Sequence, residues 1–339
     1  MAFSKTDDMQ EQNTVKAAEI LIAIPTLNEQ DHIETCIRSL LCGDERLTNV
    51  KMVVADGGST DKTVEIVTDL QATLPNLHII HNEKRLQSAA VNLVSKTEAL
   101  ETHRYLIRCD AHAAYPPDYI LKVADALRAT DAASVVVCMD AVGETCFQKA
   151  NAWVVDTPLG SGGSAHRGGK ISGFCDHGHH AGFRLDTFLK VGGYDETFSH
   201  NEDAEYDYRL ARSGGKIWLD ASIRLDYLPR ATLSGLIKQY HNYGQGRARN
   251  VLKHGTRPKL RQLAPVINLI GCLGALAIAP ILPLALLYPA FYVSLLIISS
   301  VWISFRKKSA CGLLAGLAAG AMHMAWATGF LRQLVRSRT

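Results

Sequence analysis

"VKMVVADGGSTDKT", residues 50–63, places a strand, a turn and a helix start side by side. Val50 to Ala55 is a short apolar run of the kind found in strands buried on both faces. It stops at an acid, Asp56, and two glycines follow. Ser59 or Thr60 is then expected to cap a helix, with Asp61 in its first turn. Val64, Val67, Leu70 and Leu74 recur on one helical face beyond it. Asp56 precedes the cap, at the end of the strand, where its carboxylate could accept a hydrogen bond from a nucleotide base.

The same unit recurs on either side. "ILIAI" (20–24) leads into Ile33, Ile37, Leu40 and Leu41 at helical spacing, and "LHII" (77–80) into a helix through Ala89, Ala90, Leu93 and Val94. "RYLIRC" (104–109) and "ASVVVCM" (133–139) are further strands. Apolar strands alternating with amphipathic helices predict an α/β fold with a mostly parallel sheet covered on both faces. Ligands of such sheets bind beyond the carboxyl ends of the strands. Pro25 to Glu29, Asp56 to Asp61 and Asp110 to His112 are therefore expected at one edge. No GxGxxG follows the first strand, which argues against a nicotinamide or flavin dinucleotide.

Charge and hydropathy divide the chain differently. The net charge is only +3, yet residues 224–263 carry nine Lys and Arg against one acid, Asp226. Residues 264–305 and 309–331 then contain no Lys, Arg, Asp or Glu. About 20 apolar residues cross a bilayer as a helix, so two spans are expected near 265–286 and 288–305, with room for one more. Basic residues directly before an apolar span mark the cytoplasmic side. Arg306 to Lys308 fit that side after two crossings, whereas the tail with Arg332, Arg336 and Arg338 fits it only if the last segment does not fully cross. The N-terminus has no apolar core and is no signal peptide, so the first 260 residues are expected in the cytosol. The eight cysteines, at 36, 42, 109, 138, 146, 175, 272 and 311, form no CxxC pair and read as reduced packing residues.

The expected organisation is a tail (1–18), a catalytic domain (19–220), a basic amphipathic interface segment (221–263), a transmembrane region of two to three spans (264–331) and a basic tail (332–339). Residues 156–183, rich in Gly, Ser and His, read as a functional loop too polar for a packed element. Asp110 and His112 alternate across an extended backbone, so both side chains can point one way. Carboxylate plus imidazole is a partial shell for Mn²⁺ or Mg²⁺, and a strand ending in ordinary turn residues is the alternative. "SHNEDAEYDYRL" (199–210) opens a helix expected over about 202–213. Glu202 and Asp203 complement its dipole, but the acids continue at Glu205 and Asp207, past what capping requires. "CDHGHH" (175–180) matches no structural zinc spacing and reads as a substrate loop. "QYHNYGQGRARN" (239–250) reads as a basic interfacial helix whose Arg247 could also meet a diphosphate.

In that order, "IPTLNEQ", "VVADGGSTDKT", "RCDAH", "VGGYDE" and "NEDAEYDYRL" resemble a family 2 glycosyltransferase with the GT-A nucleotide-diphospho-sugar transferase fold, over roughly residues 19–220. "RCDAH", "DTPLGSGGSAHR", "DHGHHAGF" and "SHNEDAE" are most similar to the glucosyltransferases of succinoglycan biosynthesis. The resemblance implies that Pro25, Asn28 and Glu29 line the nucleotide pocket, that Asp56 holds the uracil and that Arg85 runs beside the ribose and phosphates. It implies Asp203 as catalytic base, with Glu202 beside it in the substrate pocket. Asp110 and His112 would bind a divalent Mg or Mn on the diphosphate, His112 standing where the family usually has a second Asp. The Gln-x-x-Arg-Trp signature of processive synthases is absent, so transfer of a single sugar is expected. The implied partners are a UDP-sugar, a polyprenyl-diphosphate-linked saccharide, the membrane and other exopolysaccharide-assembly enzymes, with no nucleic acid. The implied product is a β-1,3-linked glucose. A polyprenyl-phosphate glycosyltransferase and a non-catalytic membrane scaffold with a nucleotide-binding fold are the rival readings.

Overall fold

The computed structural model describes residues 14–162, 167 and 169–336. The elements run β1 (Ile20–Thr26), α1 (Ile33–Leu40), β2 (Lys51–Asp56), α2 (Thr63–Gln71), β3 (Leu77–His81), α3 (Gln87–Thr97), β4 (Tyr105–Arg108), α4 (Tyr119–Ala129) and β5 (Ser134–Ala141). They continue with α5 (Cys146–Val155), α6 (Pro158–Ser161), β6 (Gly173–Cys175), β7 (His179–Arg184), α7 (Leu185–Val191), α8 (Glu202–Arg212) and β8 (Ile217–Tyr227). The C-terminal helices are α9 (Leu233–His254), α10 (Leu260–Ile278), α11 (Leu287–Lys307) and α12 (Ala315–Arg336). The chain forms two compact units, one of residues 1–138 and 169–225, the other of residues 139–168 and 226–339.

The sheet of the first unit has the order β3-β2-β1-β4-β7-β5-β8-β6. β3, β2, β1 and β4 are parallel neighbours. Ile20, Ile22 and Ile24 of β1 enter one apolar cluster with Met52 and Val54, while Leu21 and Ala23 enter another with Val53 and Ala55. Side chains alternate across a strand, so the continuous apolar runs feed a core on each face.

Three expectations are corrected here. Within the supposed loop 156–183, His179–Arg184 is a central strand, β7, antiparallel to both β4 and β5. Its polar side chain His180 is fully buried but bonded, with Nδ1 2.5 Å from Ser134 Oγ and Nε2 2.7 Å from Asp207 Oδ1. Gly182 fits because a Cβ there would lie 2.7 Å from Val123 Cγ1. Part of the same stretch, residues 163–166 and 168, lies outside the described residues. Secondly, β4 ends at Arg108, and Ala113 N donates to Asp110 O (3.1 Å), so Asp110 to His112 form a turn and not an extended strand. Thirdly, α2 starts at Thr63, and Asp61, not Ser59 or Thr60, bonds its first N–H (3.0 Å).

In the second unit, α5 and α6 join the C-terminal helices, although the sequence placed residues 139–168 in the catalytic domain. Val154 and Val155 bury against Leu236, Ile303, Ala315, Ala318 and Met322. Cys146 and Cys311, 165 residues apart, form a disulfide where reduced thiols were expected; no spacing rule reaches so far. The other six cysteines form no disulfide. Among the described residues three helical stretches, Leu260–Ile278, Pro283–Lys307 and Ala310–Arg336, are long and apolar enough to cross a membrane. The first ends at Ile278, short of the expected 286. The most apolar windows of the first two are 6% buried and that of the third 44%. The third packs along α9 through glycines: a Cβ on Gly244 would sit 2.1 Å from Trp326 O, and one on Gly329 2.0 Å from His241 O.

Candidate active site

Two loops at the carboxyl ends of β1 and β2 interlock. Asn28 takes a left-handed backbone (φ 55°), its N–H donates to Ser59 Oγ (2.8 Å), and its Oδ1 accepts from Thr60 N (2.8 Å). Glu29 N donates to Thr63 Oγ1 (2.8 Å). Asp56 is 5% exposed and accepts from Gly58 N (2.9 Å), Ser59 N (3.0 Å) and Ser59 Oγ (2.5 Å), so its carboxylate pins this loop. Pro25 is half-buried and lies in register with Ala55. Arg85, also left-handed (φ 55°), brings Nη2 to 3.5 Å from Gly58 O. Pro25, Asn28, Glu29, Asp56 and Arg85 are thus gathered at the edge where the parallel strands end.

Asp110 follows β4. Its Oδ1 accepts from Gln87 Nε2 (2.8 Å), and its Oδ2 lies 3.6 Å from His179 Nε2. Burial opposes its charge, but Arg108, His179 and His112 outweigh that and hold its carboxyl below the usual range. His112 is 65% exposed and turns its Nδ1 to Glu29 Oε1 (3.1 Å). Gln87 carried no signal in the sequence, and His179 stood out only as part of "CDHGHH", because only the fold sets them beside Asp110.

α8 begins at the same edge, after a left-handed Asn201 (φ 62°). Asp203 Oδ1 accepts from Arg108 Nη1 (2.8 Å) and from Tyr194 OH (2.7 Å). Against burial, Arg108, His180, His179 and Tyr194 hold Asp203 far below the ordinary carboxylate range. Its neighbour Glu202 goes the other way, pushed up to about 7 by burial and by the charge of Asp203. The two acids that follow anchor structure: Glu205 pairs with Arg209 (2.6 Å), and Asp207 Oδ2 lies 2.5 Å from His177 Nδ1. The "CDHGHH" histidines are therefore tied to α8 and to the turn after β4, His177 and His180 through Asp207 and His179 through Asp110. Arg247 is half-buried on α9, in the second unit.

A mostly parallel sheet with Asp110 beyond β4 and Asp203 at the start of α8 is the arrangement expected of a glycosyltransferase of the GT-A class. The chain belongs to glycosyl transferase family 2, whose model matches residues 21–192. It is 45% identical over 318 residues to the succinoglycan biosynthesis protein ExoA of Rhizobium meliloti (strain 1021), covering 94% of this chain and 96% of that protein. It is 28% identical over 244 residues, 69% of this chain and 74% of the other, to a dolichyl N-acetyl-alpha-D-glucosaminyl phosphate 3-beta-D-2,3-diacetamido-2,3-dideoxy-beta-D-glucuronosyltransferase of Methanococcus voltae. Among solved structures, the mannosyltransferase PcManGT of Pyrobaculum calidifontis, in complex with GDP-Man and Mn²⁺, superposes with a TM-score of 0.58 at 18% identity, over 93% of this chain and 87% of that one.

Proposed function

We propose that this chain is a membrane-bound inverting glycosyltransferase of exopolysaccharide biosynthesis, moving one sugar from a UDP-sugar to a polyprenyl-diphosphate-linked saccharide. The similarity to ExoA supports the pathway and, through the resemblance, glucose in β-1,3 linkage. The observation that carries the reading is the meeting of Asp110 and Asp203 on one buried guanidinium, Arg108, with distances of 3.6 and 2.8 Å. One carboxylate faces the edge where a nucleotide sugar binds such sheets, and the other is ionised and placed to receive a proton.

The nucleotide lies over the interlocked loops, with Pro25, Asn28 and Glu29 along the pocket, Asp56 at the uracil and Arg85 beside the phosphates. Asp203 takes the proton of the acceptor hydroxyl as its oxygen attacks the anomeric carbon. The bond from that carbon to UDP breaks on the opposite face, which inverts the configuration. Glu202 borders the acceptor. Asp110, His112 and the adjacent His179 offer carboxylate and imidazole donors, a set that fits Mn²⁺ or Mg²⁺. Among the described residues no three such groups close a metal site by themselves, and Asp110 and His112 would hold the cation together with substrate oxygens. Bound there, the cation would neutralise charge on the leaving diphosphate. The basic segment and the apolar helices keep this chemistry at the cytoplasmic face of the inner membrane, where lipid-linked head groups are presented.

The test is to incubate membranes with a panel of UDP-sugars and lipid-linked monosaccharides and to determine the product's linkage. A product of retained configuration overturns the mechanism. Asp203→Asn is expected to bind UDP normally while turnover drops by roughly 10² to 10⁴; near-normal turnover would favour a lipid-phosphate acceptor, which needs no strong base.

A further inference from the structure

Arg108 and Tyr194 come from the two separate segments of the first unit and meet on a single oxygen. Arg108 closes β4, is 5% exposed, and donates from Nη1 to Asp203 Oδ1 at 2.8 Å and to Tyr194 OH at 3.1 Å. Tyr194 OH donates to the same Oδ1 at 2.7 Å. Oδ1 therefore receives two donors, one of them charged. Oδ2 takes no hydrogen bond from a described residue, and the Asp203 side chain keeps 18% exposure.

Both donors are themselves fixed. Arg108 lies in strand register with Ala23 of β1. Tyr194 N donates to Asn92 Oδ1 (2.8 Å), its carbonyl accepts from Asn92 Nδ2 (2.8 Å), and its ring packs against Phe183, Phe188 and Tyr206. Neither can follow the carboxylate if it rotates. A carboxylate on the first turn of a helix is otherwise free to turn about its terminal torsion, which is broad and two-fold.

We propose that Arg108 and Tyr194 are positioning residues for the transfer: they clamp Oδ1 of Asp203 so that Oδ2 alone meets the acceptor hydroxyl. The proposal rests on the reading of Asp203 as the base. In the step, the hydroxyl proton passes to Oδ2, the new glycosidic bond forms and the bond to UDP breaks, while Arg108 stays protonated throughout. Because Arg108 Nη2 also lies 3.6 Å from Asp110 Oδ1, the clamp ties the base to the diphosphate side of the site.

Four variants in native membranes test this: Tyr194→Phe, Arg108→Lys, Asp203→Asn and the double Tyr194→Phe/Asp203→Asn, each assayed for kcat and donor KM. Tyr194→Phe keeps the ring packing and removes one donor; kcat is expected to drop about 5- to 10-fold with donor KM within about 2-fold, as for a lost orienting hydrogen bond. Arg108→Lys keeps the charge but not the fork, and kcat is expected to drop about 10- to 100-fold. The double variant is expected to be no slower than Asp203→Asn alone, since Tyr194 acts through Asp203. The clamp is overturned if both single variants keep wild-type kcat, or if Tyr194→Phe costs the same factor with and without Asp203. Wild-type turnover in Asp203→Asn removes the base reading itself, and the clamp with it.

Discussion

Glu202 and Asp203 are neighbours in sequence, yet their carboxyl groups are driven apart. Burial and the negative charge of Asp203 raise Glu202 to about 7, while Arg108 keeps Asp203 ionised. Separation of this kind distinguishes a group that carries a proton near neutrality from one that receives it. It also has a thermodynamic consequence. Between about pH 4.5 and 7 the unfolded chain ionises Glu202 while the folded chain keeps it protonated, so the folded state binds more protons and loses stability as pH rises through that window. The loss is about 1 to 3 kcal/mol, reduced by whatever solvent reaches the group. Glu202→Gln is expected to flatten this part of the pH dependence in thermal unfolding of the purified protein, whereas an unchanged slope would refute the raised value. At this scale the sequence reading named Asp203, Glu202, Asp110 and His112 from their places after strands and at a helix start. Arg108 and Tyr194 fell inside "RCDAH" and "VGGYDE" without a role, because an arginine ending a strand and a tyrosine in a turn gain their meaning only from what faces them.

Among the elements, β7 departs most from the sequence reading. Its composition is that of a loop, and its polarity is absorbed by Ser134, Asp207 and Asp110, which lie 46, 27 and 69 residues away. Long-range partners of this sort leave no local periodicity to read. α8 was legible to within a residue, because its acids, its apolar spacing and the glycines after it agree. The packing of α12 along α9 was not, since glycine within an apolar helix signals close approach only once the facing backbone is known. Gly329→Leu would drive a side chain toward His241 O, 2.0 Å from the Cβ position. It is expected to cost about 1 to 3 kcal/mol or more, seen as a lowered Tm in detergent. Gly274→Leu on α10, with nothing within 4 Å, is expected to leave Tm unchanged. Equal effects of the two would contradict close packing of α9 on α12.

For the whole molecule, the question left by the charge pattern is how often the chain crosses the bilayer. α10 and α11 expose almost all of their apolar surface, as lipid-facing spans do, while α12 is buried to 44% in its most apolar window and runs along α9. α9 carries Lys238, Arg247, Arg249 and Lys253, which belong at the membrane surface rather than in hydrocarbon. If a helix packed along it stays at that surface, Arg332 and Arg336 lie on the side that the charge rule expects for them. A reporter fused to the C-terminus is accordingly expected to read as cytoplasmic; a periplasmic readout would establish a third full crossing. By itself the sequence determined the α/β alternation, the edge at which the acids gather and the membrane-bound C-terminal part, because each is written in local periodicity and composition. Only the tertiary structure decided the antiparallel strand in mid-sheet, the turn at Asp110, the Cys146–Cys311 link and the clamp on Asp203. The turn aside, these depend on residues from 9 to 165 positions apart, and only the folded backbone brings them within hydrogen-bonding or covalent reach.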